Sequence, residues 1–192
     1  MNIGLYFGSF NPIHIGHLII ANHMVEYSDL DEVWMVVTPH NPFKNKASLL
    51  SNYDRLEMVY LATEGFPKIK PSDIEFALPQ PSYTVNTLVH IKEKYPKHTF
   101  SLIMGEDNLN SLHKWKNYEE ITNNHAIYVY PRITKAGVAP KVNIEHIHKI
   151  AAPIVEISSS AIRAAIKDDK NTQPLLPKKV WEYIDKMNFY KR

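Results

Sequence analysis

Short apolar runs and longer amphipathic stretches alternate along this chain. Ile3-Gly4-Leu5-Tyr6-Phe7 reads as a buried first strand, and Leu18-Ile19-Ile20-Ala21-Asn22-His23-Met24-Val25 as the helix after it. Residues 32–38 contain Val33-Trp34-Met35-Val36-Val37, a second buried strand, and a polar loop with Pro39, Pro42, Lys44 and Lys46 spans 39–50. Ser51 with Asp54 three residues on makes a capping-box-like start for a helix carrying Leu56, Met58, Val59, Leu61 and Ala62. Residues 69–76 predict a third strand, and 83–95 a helix that Pro96 ends. Residues 99–104 predict a fourth strand, with Gly105-Glu106-Asp107 as the loop after it. Two short helices near 108–112 and 118–123 lead to a fifth strand at 126–130. The stretch 132–149 reads as an irregular, mobile excursion, and 153–157 as a short sixth strand. Ser158 then opens a helix running to Ile166, and 176–187 hold a last helix with Val180, Trp181, Ile184 and Met187 on its apolar face. The alternation predicts an α/β fold: a Rossmann-like, doubly wound, mostly parallel sheet with helices on both faces.

The length of 192 residues suits one domain, 1–192, whose helical C-terminal portion covers about 158–192. Hydrophobic residues make up 44% and charged residues 22%, and the net charge is +2, so no strong field for nucleic acid or a membrane surface is indicated. No apolar run approaches a membrane span, and no basic-then-apolar signal precedes the first strand. The absence of cysteine excludes disulfides, thiolate metal sites and cysteine nucleophiles, and fits a cytoplasmic location. Most of the ten histidines lie in unrelated contexts without metal-ligand spacing. Homo-oligomerisation stays open.

Sites in such folds form beyond the carboxyl ends of the strands. That rule selects loops rich in distinctive residues. Gly8-Ser9-Phe10-Asn11-Pro12-Ile13-His14-Ile15-Gly16-His17 follows the first strand. Here Gly8 permits close backbone approach, and the spacing of His14 and His17 puts two imidazoles on one side of a first helical turn, where an anion is favoured. Ser158-Ser159-Ser160-Ala161-Ile162-Arg163 offers three hydroxyls and a guanidinium at another helix start. Gly105 and Asp107 follow a strand, where a carboxylate suits ribose hydroxyls. Lys44 and Lys46 lie in a Pro-flanked loop, where lysines are usually just solvated but could close over a polyphosphate.

No Walker A lysine loop, no Gly-x-Gly-x-x-Gly and no nucleophile elbow is present. P-loop kinases and hydride-transfer enzymes are therefore disfavoured, and no residue of the set is an obvious covalent nucleophile. The chemistry best supported is direct in-line displacement at phosphorus, in which the protein positions two phosphorylated substrates.

The decapeptide from Gly8 to His17 resembles the G-[GST]-F-[DN]-P-x-H-x-G-H signature of the HxGH nucleotidylyltransferase superfamily, and Ile157-Ser158-Ser159-Ser160-Ala161-Ile162-Arg163 resembles its I-S-S-T-x-I-R motif. Pro81-Ser82-Tyr83-Thr84, Ile103-Met104-Gly105-Glu106-Asp107 with Trp115, and the ending Leu175-Leu176-Pro177 with Asn188-Phe189-Tyr190 are similar to the bacterial nicotinate-nucleotide adenylyltransferase family. The family loop after strand two commonly carries a histidine where this chain has Phe43, while Lys44 keeps its place. Ser160 stands for a threonine, and Pro131-Arg132 reverses a common order.

The resemblance implies a reaction of ATP with nicotinate mononucleotide giving deamido-NAD and pyrophosphate, with Mg²⁺ held mainly by the ATP phosphates. It gives His14, His17, Lys44 and Arg163 the catalytic roles. It places Gly8, Ser9, Phe10, Gly105, Asp107, Ser158, Ser159 and Ser160 around ATP. It assigns Thr84, Trp115 and Arg132 to the mononucleotide, the indole stacking on the pyridine ring, backbone amides near Thr84 reading its carboxylate and Arg132 meeting its phosphate. Neighbouring readings are an HxGH transferase using pantetheine phosphate or nicotinamide mononucleotide, and a nucleotide-binding regulator without catalysis. An aminoacyl-tRNA synthetase of class I has no room here for its second signature and anticodon domain.

Overall fold

The computed structural model describes residues 1–40, 49–133 and 146–191. Six strands form one sheet in the order β3-β2-β1-β4-β5-β6, with every pair parallel: β1 (Asn2–Gly8), β2 (Glu32–Val37), β3 (Ile69–Ser72), β4 (Thr99–Gly105), β5 (Ile127–Tyr130) and β6 (Ile147–Lys149). The helices are α1 (Ile15–Glu26), α2 (Asn52–Thr63), α3 (Thr84–Lys94), α4 (Glu106–Ser111), α5 (Tyr118–Asn124), α6 (Ser159–Lys167) and α7 (Lys178–Lys186).

Strand periodicity divides the interior into two layers. From β1 and β2, Tyr6, Val33, Met35 and Val37 face a core completed by Met24, Met58 and Val59, with Ile162, Val180 and Ile184 from the C-terminal helices. Ile3, Leu5 and Val36 face the opposite core, with Leu88, Ile91, Leu109 and Ile121. The sheet is therefore covered on both faces, as a parallel sheet must be. The strand order reverses between β1 and β4, and the crevice at their carboxyl ends is where ligands enter folds of this class.

The structure corrects three sequence expectations. The sixth strand is Ile147–Lys149, not 153–157. It pairs Ile127 with Ile147 and Tyr128 with His148, whose rings stack at 4.7 Å. An edge strand needs no continuous apolar run, whereas Pro153 lacks an N–H and Ile154 is exposed. The third strand stops at Ser72, because the chain turns there with the Phe76 N–H donating to the Asp73 carbonyl at 2.8 Å. Gly105-Glu106-Asp107 is not a loop: Gly105 ends β4, and Glu106 and Asp107 form the first turn of α4. The expected excursion lies mostly outside the described residues, as do Phe43, Lys44 and Lys46.

Candidate active site

The loop from β1 to α1 is built around two rings. Phe10 has φ 45°, a left-handed conformation that is costly for a bulky residue. Its ring is only 1% exposed and folds over Gly8, where an added Cβ would lie 2.7 Å from Phe10 Cζ. Glycine at position 8 therefore makes room for the Phe10 ring. At Gly16 an added Cβ would meet Val155 Cγ1 at 2.9 Å and the imidazole of His14 at 3.1 Å, so this glycine makes room for the histidine.

His14 is the N-cap of α1 and His17 its third residue. Their rings stack at 3.7 Å. The backbone N–H of His14 donates to His17 Nδ1 at 3.2 Å, which assigns the His17 proton to Nε2. Phe10 and Tyr6 pack edge-on against the His17 ring at 5.0 and 6.1 Å. The His14 side chain is 4% exposed, and its Nδ1 has no hydrogen-bond partner among the described residues.

Burial, with the Arg132 guanidinium as a second cause, pushes the His14 imidazole down to about 4. It is therefore neutral at pH 7. Between about 4 and the ordinary 6.5 the unfolded chain binds the extra proton, so stability falls as pH falls through that window. The expected loss is roughly 3 kcal/mol across it. His14→Asn keeps a capping residue without a titrating ring. Urea unfolding at several pH values should show a shallower acid loss in that variant; equal slopes would reject this origin.

Helix α6 is fastened to the same loop. Ser158 caps it by accepting from the Ala161 N–H at 3.2 Å, and Ser159 Oγ donates to the Pro12 carbonyl at 2.8 Å. Arg163 Nη1 donates to the Asn11 carbonyl at 2.8 Å, and Nη2 to Ser160 Oγ at 3.3 Å. Tyr190, near the C-terminus, donates to Asn11 Oδ1 at 2.8 Å. The β1–α1 loop and the start of α6, whose bonded residues lie 147 and 152 positions apart in sequence, are thus held as one wall by hydrogen bonds.

Arg55 on α2 has no local sequence signal and was not among the expected site residues. It is fully buried, and its guanidinium spans three segments. Nη1 donates to the carbonyls of Ser9 at 2.7 Å and Thr38 at 2.8 Å, Nη2 to Pro39 at 3.3 Å, and Nε to Leu50 at 3.2 Å. Nη2 also reaches Asn52 Oδ1 at 2.8 Å. Burial lowers its pKa, yet the fork ties the ends of β1 and β2 to the start of α2.

Two cavities open along the carboxyl edge of the sheet. The first, of about 590 Å³, is lined by Gly8, Ser9 and Phe10, by His14 and His17, by Ser158, Ser159, Ser160 and Arg163, and by Asp107 and Arg132. The second, of about 410 Å³, is lined by Thr84, Trp115, Ser82, Tyr83, Lys114 and Glu75, among others. Phe7 and Asn108 line both, so the two meet. Arg132, expected with Thr84 and Trp115, lines the first cavity instead. Its Nε lies 3.7 Å from Asp107 Oδ1, across the end of β4. Gly105, under these two side chains, has its Cβ position blocked by the Asp107 carboxylate at 2.5 Å. Lys44 lies outside the described residues.

One cavity thus offers hydroxyls, imidazoles and guanidinium groups that match a polyphosphate. The other offers an indole and a helix start that match an aromatic ring with a polar substituent. The family described as cytidylyltransferase-like matches residues 5–165. A protein of Flavobacterium psychrophilum named "Probable nicotinate-nucleotide adenylyltransferase" is 69% identical over the whole of both chains. One of Bacteroides fragilis with the same name is 46% identical over 94% of this chain and 90% of its own. Among solved structures, Plasmodium falciparum nicotinic acid mononucleotide adenylyltransferase complexed with NaAD superposes with a TM-score of 0.81 at 22% identity, covering 99% of this chain and 97% of that one; the likeness shows the shared fold. With the match running from β1 into α6 and the relatives aligned over at least 90% of each chain, the chain belongs to the cytidylyltransferase-like family and, within it, to the nicotinate-nucleotide adenylyltransferases.

Proposed function

We propose that the chain joins ATP and nicotinate mononucleotide to give deamido-NAD and pyrophosphate, by in-line attack of the mononucleotide phosphate oxygen on the α-phosphorus of ATP. The observation that carries this reading is the pair of cavities meeting at Phe7 and Asn108, one lined by anion-binding groups and one by Trp115. Two substrates seated there would bring their phosphates together, which is most of what such a reaction requires of a protein.

In this reading His14, His17, Ser158, Ser159, Ser160 and Arg163 hold the triphosphate, and His17 donates to the charge that builds as the bond to pyrophosphate breaks. Neutral His14 gains a reason to take a proton when the polyanion arrives. Gly8, Ser9 and Phe10 shape the wall. Asp107 faces a ribose, with Gly105 leaving room for its carboxylate. Arg132, beside Asp107, is placed for a phosphate where the two substrates meet, and Lys44 acts from the loop after β2. Trp115 stacks on the pyridine ring. Asn86 and Thr87 already donate their N–H groups to the Tyr83 carbonyl, which leaves those of Thr84 and Val85 at the start of α3 for the ring carboxylate.

Among the described residues no group of three His, Asp or Glu side chains is placed to hold a metal ion. A Mg²⁺ ion would therefore take most of its ligands from the triphosphate, with Asp107 and the serine hydroxyls as the oxygens on that cavity wall. Bound there it would neutralise charge on the departing pyrophosphate. A cytoplasmic location fits the reaction and the cysteine-free chain.

Pyrophosphate release with ATP and a panel of mononucleotides tests the reading, with nicotinate mononucleotide expected as the preferred acceptor. Trp115→Ala should weaken the acid and amide mononucleotides alike, by about 1–3 kcal/mol, on the scale of aromatic stacking. A loss confined to the acid would make Trp115 part of the carboxylate-reading group.

A further inference from the structure

The cavity beside Trp115 contains a buried acid that the reaction as described does not use. After β3 the chain turns, and the turn carries Glu75 inward until it is 1% exposed while still lining that cavity. Thr87 on α3 donates its hydroxyl to Glu75 Oε1 at 2.6 Å. Glu75 Oε2 is buried with no hydrogen-bond partner among the described residues. A carboxyl oxygen left unpartnered inside a protein is costly, and such a group is retained at a site where something completes it.

We propose that Glu75 is a specificity-determining residue of the mononucleotide pocket, its unpartnered carboxyl oxygen reading the substituent on the pyridine ring as a hydrogen-bond donor. The inference rests on the adenylyl-transfer reading given above. Burial raises the Glu75 carboxyl, while the hydrogen bond from Thr87 and the nearby hydroxyls of Thr38 and Ser82 oppose the rise. Among the described residues, the other charged or titratable side chains on the same cavity are Tyr83, from the segment before α3, and Lys114 and Lys116, beside Trp115. Lys116 Nζ sits 4.6 Å over the Tyr83 ring. Among the described residues, Glu75 meets the neutral hydroxyl of Thr87 on α3, with those of Thr38, just after β2, and Ser82, just before α3, nearby.

The chemistry then separates the two mononucleotides. A protonated Glu75 donates its O–H to the ring carboxylate of nicotinate mononucleotide, a charge-assisted bond. An ionised Glu75 repels that carboxylate and accepts from the carboxamide of the amide form instead. Preference for the acid should therefore decline as pH rises and Glu75 loses its proton.

The experiment measures kcat/KM for both mononucleotides across the pH range in which the protein stays folded, in the wild type, Glu75→Gln and Glu75→Ala, with circular dichroism to confirm folding. The expected wild-type acid preference falls with pH. Gln keeps an N–H donor that cannot ionise, so its preference should persist and lose the pH dependence. Ala should lower the acid-to-amide ratio by about tenfold or more. A wild-type pH profile surviving in Glu75→Gln, or an unchanged ratio in Glu75→Ala, would overturn the proposal and leave carboxylate reading to the α3 amides or the two lysines. If Glu75→Ala does not fold, Glu75→Gln decides alone. A wild type that releases pyrophosphate with neither mononucleotide would overturn the reading of the reaction itself, and this inference with it.

Discussion

His17→Ala is expected to lower kcat by about a hundredfold or more, the scale of removing one preorganised donor from a developing charge. The size follows from how tightly the ring is held. It is stacked on His14, walled by Phe10 and Tyr6, and fixed in tautomer by the His14 N–H, so little reorganisation is left for the moment of reaction. KM for ATP should change less, because Ser158, Ser159, Ser160 and Arg163 still line the phosphate cavity. The substitution also removes the acceptor for the His14 N–H, at about 0.5–2 kcal/mol of stability. A thermal melt alongside steady-state pyrophosphate release separates the two effects. A kcat within a few-fold of the wild type would remove His17 from the chemistry.

Arg55→Ala should be the most damaging substitution to the framework. It strands the carbonyls of Ser9, Thr38, Pro39 and Leu50 and empties the volume of a fully buried side chain. At about 1–3 kcal/mol for each buried group left unsatisfied, and with water reclaiming some of them, a loss of roughly 3–5 kcal/mol is expected. Arg55→Lys should recover only part, since an ammonium lacks the planar fork that serves three segments at once. Arg55→Met should fare badly too, because an apolar side chain fills the space and leaves the carbonyls unpaired. Urea midpoints check the stability, and kcat/KM should fall further than stability alone explains, because Ser9 lines the phosphate cavity. A loss of unfolding free energy below about 0.5 kcal/mol would show that Arg55 is not the clamp.

The contrast between these two residues shows what was legible from the residues in order. His14 and His17 announced themselves: they lie in a Gly/Pro loop directly between an apolar run and a helix, and that local pattern places them at a helix start. Ser158, Ser159, Ser160 and Arg163 were legible in the same way. Arg55 and Glu75 were not. In the sequence Arg55 is an ordinary charged position in an amphipathic helix and Glu75 one acid among apolar neighbours, and nothing local says that either is buried. The true sixth strand was hidden because Ile147-His148-Lys149 has little apolar content, and its partner β5 supplies the pairing.

The alternating strands and helices, both loops proposed to hold phosphate and the residue types suited to transfer at phosphorus were determined by the sequence itself, because periodicity, caps and turn residues act over a few positions. Only the tertiary structure decided that Asn11 and Arg163 share one wall, that Arg132 stands with Asp107 and not with Trp115, and that Gly8 yields to Phe10. It also decided that one arginine and one glutamate are buried where the loops converge. Those outcomes depend on which segments the parallel sheet brings to its carboxyl edge, and on the cost of burying a polar group without a partner, neither of which is expressed in any short stretch of chain.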